Sequence, residues 1–125
     1  MSAILMQQKK IQDSEKYLNK AIEIAGYRSD VTYSRGFCRY ILKNWSGADE
    51  DFSIILNDNP NNVNALLFRA TARFEMGQYS LARQDHLKIF NLEPDNIQNK
   101  SQWLKNSLYS LDITSLLLIM FGSNQ

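Results

Sequence analysis

Apolar residues recur along this chain at the three- and four-residue spacing of helices with one buried face, and no sheet is expected. The pattern predicts a helix over Tyr33 to Lys43 and another over Leu66 to Met76. Each is followed by a tight turn, Asn44-Trp45-Ser46-Gly47 or Gly77-Gln78-Tyr79, and by a second helix that ends before Pro60 or Pro94. Proline lacks an amide hydrogen and disfavours helix in the residue before it, so these two prolines mark turns between units. Ile97, Leu104, Leu108 and Leu111 then fall at helical spacing and predict a terminal helix or helix pair.

The units are copies of one another. Sliding the sequence by 34 residues aligns 29–62 with 63–96. Identical pairs are Arg35/Arg69, Arg39/Arg73, Ser46/Ser80, Ala48/Ala82, Asp51/Asp85, Ile55/Ile89, Asn57/Asn91, Pro60/Pro94 and Asn62/Asn96. Similar pairs include Tyr40/Phe74, Trp45/Tyr79 and Leu56/Phe90. A further shift of 34 places Ile11, Ser14, Leu18, Ala21 and Ile22 on Trp45, Ala48, Phe52, Ile55 and Leu56, with Gly26 at the proline position. Residues 1–28 are therefore expected to be a partial unit whose first helix is clipped, and residues 97–121 a helical cap. All 125 residues form one all-α solenoid domain in this reading.

The motif residues resemble those of the tetratricopeptide repeat. They are a small residue in the first helix (Gly36, Ala70), an aromatic after the turn (Trp45, Tyr79), alanine in the second helix (Ala48, Ala82), Phe52 or His86 one turn later, and the closing prolines. The resemblance covers about residues 1–96 and implies a helix-turn-helix solenoid whose concave groove holds a helix or apolar segment of a partner protein. By that comparison the groove is lined by Tyr33, Phe37, Tyr40 and Ile41, and by Leu67, Thr71, Phe74 and Glu75. The same residues are also placed to pack between repeats, and the sequence leaves the two roles evenly balanced. A subset of the family binds acidic chaperone C-termini through a Lys, Asn and Arg clamp. Here the matching slots hold Ser34, Asn64 and Phe68, so docking of that type is not expected.

Composition narrows the function further. Apolar residues make up 44% and charged residues 22%, ordinary values for a globular chain. A formal net charge of +1 gives no bulk field toward nucleic acid or an anionic membrane. Related RNA-binding helical repeats use a 35-residue period and basic grooves, which this chain lacks. One cysteine, Cys38, without a Cys/His cluster argues for a reducing intracellular compartment and against zinc; cytoplasm is favoured, with an organelle interior left open. The N-terminus has no secretory pattern. Cys38 aligns with Ala72 and is expected to be buried and inert, and His86, at the Phe52 slot, is expected in the core. No phosphate loop, metal cluster, cofactor motif or nucleophile constellation is present, so no catalytic residue is assigned.

Two features have competing readings. Arg35, Arg39, Arg69 and Arg73 form either a ladder for an acidic peptide or internal ion pairs with Asp51, Asp85 and Glu50, and the repetition of the aspartates favours pairing. The run Leu116, Leu117, Leu118, Ile119, Met120 and Phe121 is apolar on every side and far shorter than the ~20 residues of a membrane span. It either folds back on the repeats or contacts another chain, the second being favoured. The expected function is a non-catalytic adaptor, a small accessory subunit in a hetero-oligomeric assembly; a transient peptide-binding co-chaperone is the alternative.

Overall fold

The structure, a computed structural model, describes residues 3–110. They form six helices: α1 (Ala3–Ala25), α2 (Ser29–Ile41), α3 (Trp45–Asp58), α4 (Val63–Glu75), α5 (Tyr79–Leu92) and α6 (Ile97–Ser110). Each helix packs on the next in sequence, and α4 also meets α6, giving stacked hairpins with no strand among the described residues. The all-α solenoid expected from the 34-residue repeat is the architecture observed.

Local chemistry sets the boundaries. The side-chain oxygens of Asn62 and Asn96 accept from the amides of Ala65 (3.0 Å) and Asn99 (2.9 Å), capping α4 and α6. Asn44 caps α3 by accepting from Gly47 N–H at 3.1 Å, so Trp45 opens that helix rather than lying in the turn. The turns reverse through left-handed residues, Lys43 (φ 63) and Gly77 (φ 78). Helices α2 and α4 begin at Ser29 and Val63, a turn before the apolar pattern becomes visible.

The first unit departs from expectation. A clipped helix pair would turn near residues 8–10, but α1 runs unbroken for 23 residues. Gln8-Lys9-Lys10 contains no glycine to reverse the chain and no Asn, Ser or Asp to cap a second helix, and all three residues are good helix formers. The cap departs too. Ile97 and Leu104 are exposed, and α6 meets the repeats through buried Asn99 and Asn106 instead. The expected cap beyond Ser110 lies outside the described residues.

The core runs through Ala48, Phe52, Ile55, Leu56, Leu66 and Ile89, with Ala48 and Ala82 completely buried where hairpin helices cross. Gly36 is required by the same closeness: a Cβ there would come 3.1 Å from Asp51 Cβ and 3.2 Å from Phe52 Cζ. Beside this core lies a polar ladder. Arg35 donates from Nε (2.9 Å) and one terminal nitrogen (2.7 Å) to the two carboxylate oxygens of Asp51, which is 0% exposed. Arg39 adds a donation to Asp51 at 3.4 Å and reaches Glu15 of α1 at 2.9 Å, while Arg35 donates to Asn19 at 3.1 Å. The arrangement recurs one repeat on: Arg69 pairs with Asp85 at 3.0 and 2.6 Å and donates to Ser53, and Arg73 bridges Asp85 and Asp49. The arginines are thus internal ties, with Asp49 and Glu15 in the place expected of Glu50.

Helix α6 is tied by different chemistry. His86, 1% exposed, donates from Nδ1 to Asn99 Oδ1 at 2.8 Å, a tautomer fixed because Asn99 Nδ2 donates to the His86 carbonyl at 3.1 Å. Burial lowers the imidazole pKa below its ordinary value, partly offset by Asn99 and by Asp85.

Three outcomes follow. Asp51→Ala leaves Arg35 buried without its partner and should cost about 3–5 kcal/mol in denaturant unfolding. Ala82→Leu forces a larger side chain into a closed crossing and should cost roughly 1–3 kcal/mol by the same measurement. The unfolded chain binds a proton on His86 at higher pH than the folded chain, so stability falls as pH drops below about 6.5, by at most about 1.4 kcal/mol per pH unit. Thermal melts from pH 7 to 5 should show that loss, and His86→Phe should flatten it.

Candidate partner-binding groove

A cavity of about 770 Å³ opens between α1, α2 and α4. Asp13, Ser14, Tyr17 and Leu18 line it from α1, Tyr33, Ser34, Phe37 and Cys38 from α2, and Phe68 from α4. Its walls are mostly aromatic and apolar, and Asp13 is its one charged lining residue. The rings are locked to one another: Tyr33 stands edge-on to Phe52 and Phe68, and Phe37 edge-on to Phe68 at 5.7 Å. Phe68 stacks in turn on Phe52, at 5.3 Å, so the groove wall is continuous with the core.

The residues expected to line a groove are distributed among several environments. Tyr33 and Phe37 line this cavity, Phe37 being 41% exposed. Tyr40 packs between Trp45 and Phe68, and Leu67 lies in the core. Thr71, Phe74 and Glu75 lie at a second, smaller hollow of about 80 Å³ with His86, Gln102 and Lys105. There Thr71 is hydrogen-bonded to Gln102, and the Lys105 ammonium sits 5.5 Å from the Phe74 ring centre. Ile41 is exposed at the end of α2. The apolar run Leu116–Phe121 lies outside the described residues.

Cys38 corrects an expectation. It is half-buried at the cavity rather than fully buried, and desolvation, followed by the Glu15 charge, raises its thiol pKa above the ordinary value. The slots of the acidic-peptide clamp hold Ser34, which donates to the Asp30 carbonyl at 2.9 Å, exposed Asn64 and the ring of Phe68; no cation lines the cavity. The α1 side of the cavity was not singled out from sequence. Its signal was the absence of turn chemistry at Gln8-Lys9-Lys10, which leaves residues 13–18 without a preceding hairpin helix.

No described helix is long and apolar enough to cross a membrane, and no group of three or more His, Cys, Asp or Glu is placed to hold a metal ion among the described residues.

No family model matches the chain. A rat (Rattus norvegicus) protein, RNA polymerase II-associated protein 3, is 24% identical over 98 residues, 78% of this chain; the match spans only 15% of that relative's length. Among solved structures, the first tetratricopeptide domain of Spaghetti (RPAP3), bound to the HSP90 peptide SRMEEVD, matches with a TM-score of 0.74 at 21% identity, covering 86% of this chain and 85% of that one. The second such domain of human RPAP3, in complex with the HSP70 peptide SGPTIEEVD, gives 0.71 at 20% identity over 82% and 85% of the two chains. The helical hairpins of 34-residue period and these likenesses together identify the fold of this chain as that of the tetratricopeptide repeat.

Proposed function

We propose that this chain is a non-catalytic protein-interaction adaptor, an accessory subunit of a larger intracellular assembly, whose concave groove takes an apolar or amphipathic segment of a partner protein. The observation that carries the reading is the cavity of about 770 Å³ walled by Tyr33, Phe37 and Phe68 with a single charged residue in its lining. Rigid aromatic walls offer contact area at little entropic cost, and the mode that suits them is an amphipathic helix or aliphatic segment laid in the groove.

The similar domains of RPAP3 are bound to peptides ending in an acidic EEVD, which favours chaperone-tail binding as a second reading. Recognition of a terminal carboxylate calls for a cationic fork. In this chain the corresponding slots are a serine, an asparagine and a phenylalanine, and the arginines that could have served are held by Asp51 and Asp85.

One experiment separates the readings. Affinity purification of the wild-type chain and of Phe37→Ala from the source cell, followed by mass spectrometry, should show partners lost from the variant while its melting temperature changes little, because Phe37 is 41% exposed. Titration with the peptide SRMEEVD should give no saturable binding. Saturable binding of that peptide, with partners unaffected by Phe37→Ala, would establish the chaperone reading instead.

A further inference from the structure

Resting on the groove as a partner site, we propose that its α1–α2 half is the vacant seat of a helix. Its occupant is an amphipathic helix of another polypeptide with the pattern small–x–small–basic–aromatic.

The seat is defined by the internal repeat. Asp13, Ser14, Tyr17 and Leu18, the α1 residues of the cavity, stand 34 positions before Gly47, Ala48, Asp51 and Phe52. Those α3 residues are where α2 docks: Arg35 donates to Asp51, and a Cβ on Gly36 would touch both Asp51 and Phe52. All four are buried beneath α2, whereas Asp13 and Ser14 are exposed and Tyr17 is 77% exposed. On the α2 side, Ser34 stands 34 positions before Phe68, the α4 residue whose ring meets Tyr33, Phe37 and Tyr40 of the preceding hairpin. The same docking surface is thus present a third time. It is empty among the described residues because α1 runs straight through residues 8–10 instead of turning back.

The two filled seats define the occupant. Their helices present Gly36-Phe37-Cys38-Arg39-Tyr40 and Ala70-Thr71-Ala72-Arg73-Phe74. The first residue is small because the facing helix lies within contact of its Cβ. The aromatic stands edge-on to a second ring at the turn, Tyr40 to Trp45 and Phe74 to Tyr79; in the vacant seat its counterpart would meet Ile11.

The basic residue is selected by charge. A Cβ on Gly47 would lie 2.8 Å from Arg39 Cδ, closer than contact allows, so beside Asp13, at the equivalent position, the stem of an incoming basic residue shifts aside while its charge passes next to the carboxylate. The Asp13 side chain makes no ion pair or hydrogen bond among the described residues, and a basic residue supplies its complement. Tyr17 replaces Asp51, so the arginine equivalent to Arg35 or Arg69 has no acid to meet here, and the one equivalent to Arg39 or Arg73 is left with Asp13. Charge also sets aside this chain's own segments. Residues 4–6 place Leu5 at the basic position of the frame, and residues 116–121 contain no basic residue.

The test is fluorescence anisotropy of the full chain with a labelled synthetic peptide of sequence 63–75 carrying Arg69→Leu. Saturable binding is expected. Ser14→Phe, which fills the seat, should weaken it at least about tenfold, and Asp13→Lys about threefold or more. Pairing Asp13→Lys with a peptide that also carries Arg73→Glu should restore the affinity. Both altered positions are exposed, and circular dichroism confirms that each variant folds. The proposal is overturned by absence of saturable binding at about 1 mM peptide, or by binding indifferent to both variants. It is equally overturned if sedimentation shows a dimer that dissociates on Ser14→Phe, or if removing residues 111–125 is needed for the peptide to enter, since these assign the seat to a second copy or to the tail. Loss of partners on Phe37→Ala together with failure of the charge exchange would leave the groove reading standing and remove only this one.

Discussion

The two-point pairing of a first-helix arginine with a buried second-helix aspartate, built at Arg35–Asp51 and again at Arg69–Asp85, is the constraint to which the rest of the structure conforms. A carboxylate with no exposed surface has lost its hydration, and only a fixed guanidinium in the right plane replaces it. Net stabilisation from such a pair is small, because attraction and desolvation nearly cancel. Its effect is on register. Sliding α2 along α3 by one turn would strand the Asp51 charge in the core, whereas a purely apolar seam of alanines and isoleucines would tolerate the slip at modest cost.

Each rung also joins three helices. Arg39 holds Asp51 of its own hairpin and Glu15 of the preceding helix, and Arg73 holds Asp85 and Asp49 in the same way. Hairpin geometry and stacking geometry are therefore set by one pair of side chains per unit. The ladder stops at α6. The position one repeat after Arg69 is Trp103, which meets Phe90 edge-on, and the position after Asp49 is Arg83. The last helix is accordingly docked by amides, Asn99 on His86 and Asn106 on the Tyr79 carbonyl.

The sequence made the hairpins legible because their punctuation repeats: the Asn62 and Asn96 caps, the closing prolines and the closely packed Ala48 and Ala82 all fall in register. The pairing of the arginines was legible for the same reason, since an acid recurring at the same period is the signature of an internal partner. What escaped was decided by absence. Lys9 and Lys10 carry no distinctive signal, yet they lack the caps and turn residues that break the other units, and this keeps α1 straight. The α6 seat escaped because polar residues make it. Helical spacing singles out Ile97 and Leu104, yet these are exposed and Asn99 and Asn106 are buried, because the His86 imidazole, in a slot otherwise filled by Phe52, calls for a polar partner. Tyr33 and Phe37, singled out by the family comparison, line the cavity, whose α1 wall that comparison did not single out.

The rungs of the ladder join residues 12, 16 and 24 apart in the chain. Closing loops of that length costs little more entropy than forming a helical hairpin, so every rung can assemble without waiting for a distant part of the molecule. Folding can start at either arginine pair and spread in both directions by adding one helix at a time. The order of loss on unfolding is then set at the ends. Helix α6, joined by neutral hydrogen bonds, and the first turns of α1, which touch no rung, are the segments to open first, while the stretch from Arg35 to Asp85 exchanges its amide protons last.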